Sequence, residues 1–248
     1  MSTASLRQRA RDGERLIGVL VRMPCEELVE MAALAGFDFI VVDCEHGPAD
    51  VIALRQHIAV ATLHQVPVIV RVGSGDSGAI LRVLDQGAQG VLAPHIDSAQ
   101  DAAALVAASH YPPLGERGFA TYSRAGQFGL ADPEAHRDWF LSNTLVLGMV
   151  ESPASVTDVA AILAVPGLDG IMIGPADLAA SSGADDLPLA EATARVNAAI
   201  AEAAALRMDI VGTAAAASAA FDDGAQFVVY NLAHALMTQL RTLTQPRG

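Results

Sequence analysis

The sequence predicts an α/β protein folded as a single (β/α)8 barrel over residues 1–248, and three observations carry that expectation. The chain has 248 residues, close to the roughly 250 of a typical barrel of this kind. Eight short β-branched runs alternate with longer helical stretches, the order that βα units around a parallel sheet require. Several runs are continuously apolar rather than alternating, which is how strands covered on both faces read.

Taken in order, the runs are IGVLV from 17, FIVVDCE from 39, VPVIVRV from 66, GVLAPHI from 90, LVLGMVES from 145, LDGIMIG from 168, DIVGT from 209 and FVVYN from 227. Helical spacing predicts helices between them over 26–34, 51–63, 98–108 and 191–206. The alanine-rich run 214–220 follows a strand and ends before Asp222, so it reads as a packed helix rather than low complexity. Residues 233–240 carry apolar side chains at helical spacing and read as an ordinary core-facing helix. One connection departs from the rhythm. Residues 110–143 hold the sole tryptophan and many Gly, Pro and polar residues, too much chain for a plain βα link; the segment is read as an active-site loop with a short helix.

Composition narrows the chemistry. Apolar residues make up 52% of the chain and charged ones 17%, ample for a packed core. Apolar runs stay at strand length, far short of the ~20 residues that span a bilayer, and the basic, polar start lacks the pattern of a secretory leader. A cytoplasmic protein with no membrane association is expected. The net charge of −13 speaks against nucleic acid, whose phosphates need clustered Lys and Arg. Cys25 and Cys44 have neither metal-ligand spacing nor the density of a disulfide scaffold and read as buried free thiols. There is no lysine at all. That excludes a Schiff-base enzyme, a pyridoxal-phosphate (PLP) enzyme with its internal aldimine, and a Walker-type phosphate loop, each of which needs a lysine amine.

In a parallel barrel the active site lies at the C-terminal strand ends. Five runs end in polar residues: Asp43, Glu45 and His46; Arg71; His95 and Asp97; Glu151; and the stretch Gly174, Pro175, Ala176, Asp177. Glu151 and Asp177 are hard oxygen ligands at adjacent strand ends, suited to Mg2+ or Mn2+ with positions left for a chelating 2-oxo acid; both are also well placed as helix caps. His46 beside Asp43 and Glu45 has the setting of a proton-transfer imidazole, or of a turn histidine before Gly47 and Pro48. Arg71 ends an apolar strand and needs an anionic partner, either a substrate or a structural carboxylate such as Asp43 or Asp85. Asp85, late in a helix, is a candidate to orient His46. Gly73 to Gly78 spells G-x-G-x-x-G after a strand, the dinucleotide fingerprint. Two βα units precede it, however, and the next strand ends in His95, Ile96 and Asp97 rather than in one acid at the ribose position. NAD is not expected.

This set of residues makes the chain resemble the HpcH/HpaI class II aldolases, metal-dependent pyruvate aldolases of the phosphoenolpyruvate/pyruvate barrel superfamily. The resemblance covers nearly the whole chain. It is carried by AGFDFIVVDCEHGP (35–48), VIVRV (68–72), VLDQGAQGVLAP (83–94), YPPLGERG (111–118), the Glu151 strand end and GIMIGPADLA (170–179); EHGP with a downstream GPADL is a specific combination.

The resemblance implies that His46 is the proton acceptor, Asp85 the partner that raises its basicity, and Arg71 the stabiliser of the substrate's oxygens. It implies Glu151 and Asp177 as ligands of Mg2+, Mn2+ or Co2+, and the backbone around Gly174 to Asp177 as the pocket for a pyruvate carboxylate, with Asp43 and Glu45 behind them. The implied reaction cleaves or forms 4-hydroxy-2-oxo acids from pyruvate or hydroxypyruvate and an aldehyde, in a homohexamer whose last helix packs on a neighbour. Two departures bear on the substrate: Met149 stands where many relatives have a glutamine, and Arg117 to Arg124 differ from the usual Gly- and Ala-richer pattern. A Claisen-type or citrate-like reaction on the same metal–enolate core is the alternative, followed by a non-catalytic barrel.

Overall fold

The computed structural model describes residues 4–48 and 50–244. Strands β1 (Leu16–Val21), β2 (Phe39–Asp43), β3 (Val68–Arg71), β4 (Gly90–Ala93), β5 (Leu145–Val150), β6 (Gly170–Ile173), β7 (Leu206–Val211) and β8 (Phe227–Asn231) close into a parallel barrel in chain order. β1 completes the ring by pairing with both β2 and β8, Gly18 against Phe39 and Leu16 against Phe227. The helices are α1 (Leu6–Arg11), α2 (Glu26–Leu34), α3 (Val51–Leu63), α4 (Ser77–Asp85), α5 (Ala99–Ser109), α6 (Pro133–Asn143), α7 (Pro153–Leu163), α8 (Pro175–Ser181), α9 (Leu189–Glu202), α10 (Ala214–Asp222) and α11 (Leu232–Thr244).

Side chains alternate across a strand, and this alternation divides the apolar residues between two cores. Leu16, Leu20, Phe39, Val41, Ile69 and Leu92 belong to the cluster inside the barrel. Val19, Val21, Ile40, Val42, Val68 and Val70 belong to the layer between strands and helices. Gly18 is an interior position with no room for a side chain: a Cβ there would lie 2.3 Å from the Phe39 ring, which stacks edge-on against Phe227 at 5.4 Å.

The N-terminal mouth is closed by α1, which sequence periodicity does not reveal. Leu6 and Ala10, one turn apart, join the interior cluster. Arg7 and Arg11 donate to Oδ1 of buried Asp169 at 2.7 and 2.6 Å, and Arg9 reaches Asp38 at 2.8 Å. Six residues are too few to display an amphipathic stripe, so three arginines read as a solvated start rather than as a plug.

Three expectations are corrected. Cys25 and Cys44 are free thiols but only partly buried. The helix expected over 191–206 ends at Glu202, and β7 begins at Leu206; Ala204 takes a left-handed φ of +50° and ends the helix without the glycine that usually marks such a stop. No residue of α11 is buried, and Leu236, Met237, Leu240 and Leu243 are exposed, so its apolar positions are not core within the chain. Residues 110–143 connect the end of α5 to the start of β5, which places them at the N-terminal end of their own barrel. They pack there by burying Arg117 between the rings of Tyr111 and Phe140, 4.6 and 4.5 Å from the centroids, and by bonding Ala125 N–H to the Asp85 carbonyl at 2.9 Å.

Candidate active site

The same alternation that fills the barrel carries polar residues into its C-terminal mouth. Inward positions run Leu16, Gly18 and Leu20 on β1 and then Arg22 just beyond it; Phe39, Val41 and Asp43 on β2; Ile69 and Arg71 on β3; Leu147 and Met149 on β5 and then Glu151 just beyond it. Asp43 and Arg71 are direct partners in the β2–β3 register. Here the interior changes from hydrocarbon to charge.

Asp43 is fully buried and is the anchor of the group. Its Oδ1 accepts from Arg71 Nε at 2.8 Å and from the backbone N–H groups of Glu45 and His46 at 3.2 and 3.3 Å. Its Oδ2 accepts from Arg71 Nη2 at 2.6 Å and Arg22 Nε at 2.8 Å. Burial works against its charge, but the hydrogen bonds and charge of Arg71, the His46 N–H and the charge of Arg22 outweigh it and hold the carboxyl below the usual range. Arg71 is therefore fixed by two nitrogens. Its remaining Nη1 faces Glu45 Oε2 at 3.2 Å and the Met149 sulfur at 3.9 Å. Met149 is buried, and a thioether is only a weak acceptor.

Glu45 links the two histidines of the mouth. His46 Nε2 lies 3.8 Å from one of its oxygens and His95 Nε2 lies 3.9 Å from the other. About half of the His46 side chain, 54%, is exposed, so the imidazole borders the open mouth.

Glu151 follows β5 and is 3% exposed. Oε1 accepts from the His95 backbone N–H at 2.7 Å. Oε2 has no hydrogen bond among the described residues. Burial raises the pKa of this carboxyl; the His95 N–H and imidazole oppose the rise, and the charges of Asp177 and Glu45 add to it. Gly174 stands against the free oxygen: a Cβ there would lie 2.6 Å from Glu151 Oε2. Gly174 caps α8, and Asp177 lies exposed in that helix's first turn.

These features fit a divalent cation. An oxygen of a buried carboxylate without a donor, a second carboxylate repelling it and a glycine that puts no side chain against it are what a hard cation would resolve. Among the described residues no group of three or more His, Cys, Asp or Glu side chains could hold a metal by itself. A cation here would take Glu151 and Asp177 from the chain and fill its shell with water or substrate oxygens.

The structure thus gathers Asp43, Glu45, His46, Arg71, Met149, Glu151 and the 174–177 segment at one mouth. It does not bring Asp85 there. Asp85 ends α4 at the opposite side of the barrel and accepts from Arg117 at 2.7 Å; within one chain no hydrogen bond or ion pair joins it to His46. Asp97 accepts from Ser152, the N-cap of α7, a structural role. The strand-end reading passed over Arg22, although alternation along 16, 18, 20 and 22 would have found it. It noted His95 without giving it a task.

A family model described as HpcH/HpaI aldolase/citrate lyase matches residues 17–235. A hydroxypyruvate/pyruvate aldolase of Agrobacterium fabrum is 40% identical over 173 residues, 69% of this chain and 64% of the relative. A 2-keto-3-deoxy-L-rhamnonate aldolase of Salmonella gallinarum is 36% identical over 177 residues, 71% of this chain and 66% of the relative. The matches thus span just under two thirds of these relatives' length. The crystal structure of an HpcH/HpaI aldolase from Desulfitobacterium hafniense superposes with a TM-score of 0.89 at 25% identity, covering 99% of this chain and 97% of that one.

Proposed function

The chain belongs to the HpcH/HpaI aldolase/citrate lyase family, and on that premise we propose that it is a divalent-metal-dependent carbon–carbon lyase that cleaves or forms 4-hydroxy-2-oxo acids from pyruvate or hydroxypyruvate and an aldehyde. One observation carries the reading: Glu151 is buried with Oε2 unbonded, under the charge of Asp177 and with no side chain at Gly174 against it. The relatives named as aldolases support the substrate class.

A divalent cation held by Glu151 and Asp177 would supply Lewis acidity, polarising a 2-oxo acid's carbonyl and acidifying its C3 protons so that one can pass to water at the open mouth. The chain's residues do the rest. Arg71, clamped by Asp43, presents Nη1 without freedom to turn, as a pre-set donor for negative charge on the substrate's oxygen. One Nη1 hydrogen faces Glu45; because the Met149 sulfur is a weak partner, the hydrogen directed at it remains available to substrate. His46, half exposed and backed by Glu45, exchanges a proton with the aldehyde oxygen through water. Residues 174–177 border the donor substrate on the side of Glu151.

The assembly we propose is the homohexamer that the family resemblance implies, supported by α11, none of whose residues is buried and whose Leu236, Met237, Leu240 and Leu243 are exposed; a monomer in sedimentation would overturn it. No described helix is long and apolar enough to cross a membrane, and cytoplasmic action on small molecules remains the reading.

The test is exchange of pyruvate methyl protons in deuterium oxide. Exchange abolished by chelation and restored by Mg2+, Mn2+ or Co2+ is expected. Its absence with all three metals refutes the proposal, and exchange without cleavage of any hydroxy-oxo acid transfers it to a Claisen-type reaction.

A further inference from the structure

His95 has no task in the reaction described above, yet its backbone and its side chain both turn on Glu151. Its φ is +54°, in the left-handed region that residues with a Cβ adopt rarely. A strained residue beside a buried, charged group is a reason to ask what the strain holds in place. Here it aims the His95 N–H at Glu151 Oε1, 2.7 Å away.

The surrounding turn is locked to β5 at a second point. Ile96 N–H bonds the Met149 carbonyl at 3.2 Å, and the Ile96 side chain fills the place where Gly148 lacks a Cβ, which would lie 3.0 Å from Ile96 Cγ1. The His95 imidazole completes the arrangement: Nδ1 lies 3.1 Å from the same Glu151 oxygen, and Nε2 faces Glu45 Oε1 at 3.9 Å. Oε1 is thus engaged twice, while Oε2 faces the bare Gly174.

We propose that His95 is a positioning residue that grips Glu151 by Oε1 so that Oε2 alone is offered to the divalent cation. The inference rests on the metal-binding reading of Glu151. Without the grip, the carboxylate is free to rotate and share both oxygens with solvent, and the cation loses a ligand set in advance. Partners behind a metal ligand commonly carry about 10- to 100-fold in affinity, even when they touch neither metal nor substrate.

The test titrates Mn2+ into the intact, substrate-free protein and reads free Mn2+ by electron paramagnetic resonance. His95→Val opposes the left-handed backbone and removes the imidazole, and it should weaken Mn2+ by about 10- to 100-fold. His95→Ala should fall between Val and wild type, and it carries the comparison if Val melts early. His95→Asn, whose short polar side chain tolerates this backbone, should restore most of the affinity. Val and Ala both within about twofold of wild type overturn the proposal, since the coupling expected of a residue that orients a metal ligand would then be absent; so does Asn as weak as Val. Mn2+ binding by wild type without pyruvate proton exchange defeats the aldolase reading and leaves the role of His95 standing. Full exchange with equal Mn2+ affinity across the series defeats the role of His95 alone, and no Mn2+ binding by wild type defeats both.

Discussion

Asp43→Asn isolates what holds Arg71 in place. The native carboxylate is fully buried and receives two bonds from Arg71, whose side chain is 5% exposed, and one from Arg22, whose side chain is 36% exposed. Asparagine keeps one acceptor oxygen for the Glu45 and His46 N–H groups but loses the charge that balances a buried guanidinium. Breaking a buried pair by neutralising one partner costs about 3–5 kcal/mol. The Arg22 contact, open to solvent, contributes about 0–1 kcal/mol. Urea unfolding followed by circular dichroism should therefore show Asp43→Asn destabilised by about 3–5 kcal/mol, a fall in Tm on the order of 10 °C for a chain of this size. Arg22→Leu should lose no more than about 1 kcal/mol. Turnover should fall with Asp43→Asn because Arg71 Nη1 is no longer aimed. Equal losses from the two variants would refute the assignment of Asp43 as Arg71's clamp.

Other outcomes follow from the same structure. His46→Ala should lose turnover by about 10²- to 10⁴-fold, the usual share of a proton-transfer group, while Mn2+ affinity holds; wild-type turnover would remove His46 from the mechanism. His57 and His110 are buried, and burial lowers the pKa of each. The native chain disfavours their charged form while the unfolded chain protonates near 6.5, so their contribution is complete above that pH and is lost as pH falls from there towards the lower native values. In that window stability should drop by at most about 1.4 kcal/mol per pH unit for each histidine, read as a falling urea midpoint. A midpoint unchanged from pH 7 to 5.5 would contradict it.

Much of the barrel is legible in the sequence because a strand covered on both faces must be apolar on both, and all eight such runs became strands. What is illegible is short or ambiguous. Leu6 and Ala10 are one turn of helix and cannot show a period. Leu206 and Met208 fit either a helical stripe or an inward strand face, and only the left-handed Ala204 decides between them. The candidate site follows a similar division. Strand ends located Asp43, Arg71 and Glu151, and the Asp43 partner of Arg71 was among the alternatives. The task of Asp85 did not emerge within one chain, because position along α4 tells nothing of which end of the barrel it meets. His95 stayed without a role because its importance lies in a backbone angle that residue type does not encode.

The central claim is that Glu151 Oε2, beside Gly174 and Asp177, receives a divalent cation. The most direct measurement is Mn2+ binding to substrate-free wild type, Glu151→Gln and Gly174→Ala. Gln removes the charge while keeping an acceptor for the His95 N–H, and it should also relieve the repulsion by Asp177 and Glu45 and leave the fold at least as stable. Alanine at 174 would place a methyl 2.6 Å from Oε2 and force the carboxylate to shift. One Mn2+ per chain in wild type, with loss in Glu151→Gln and marked weakening in Gly174→Ala, is the predicted result; Mn2+ bound equally by wild type and a folded Glu151→Gln would contradict it.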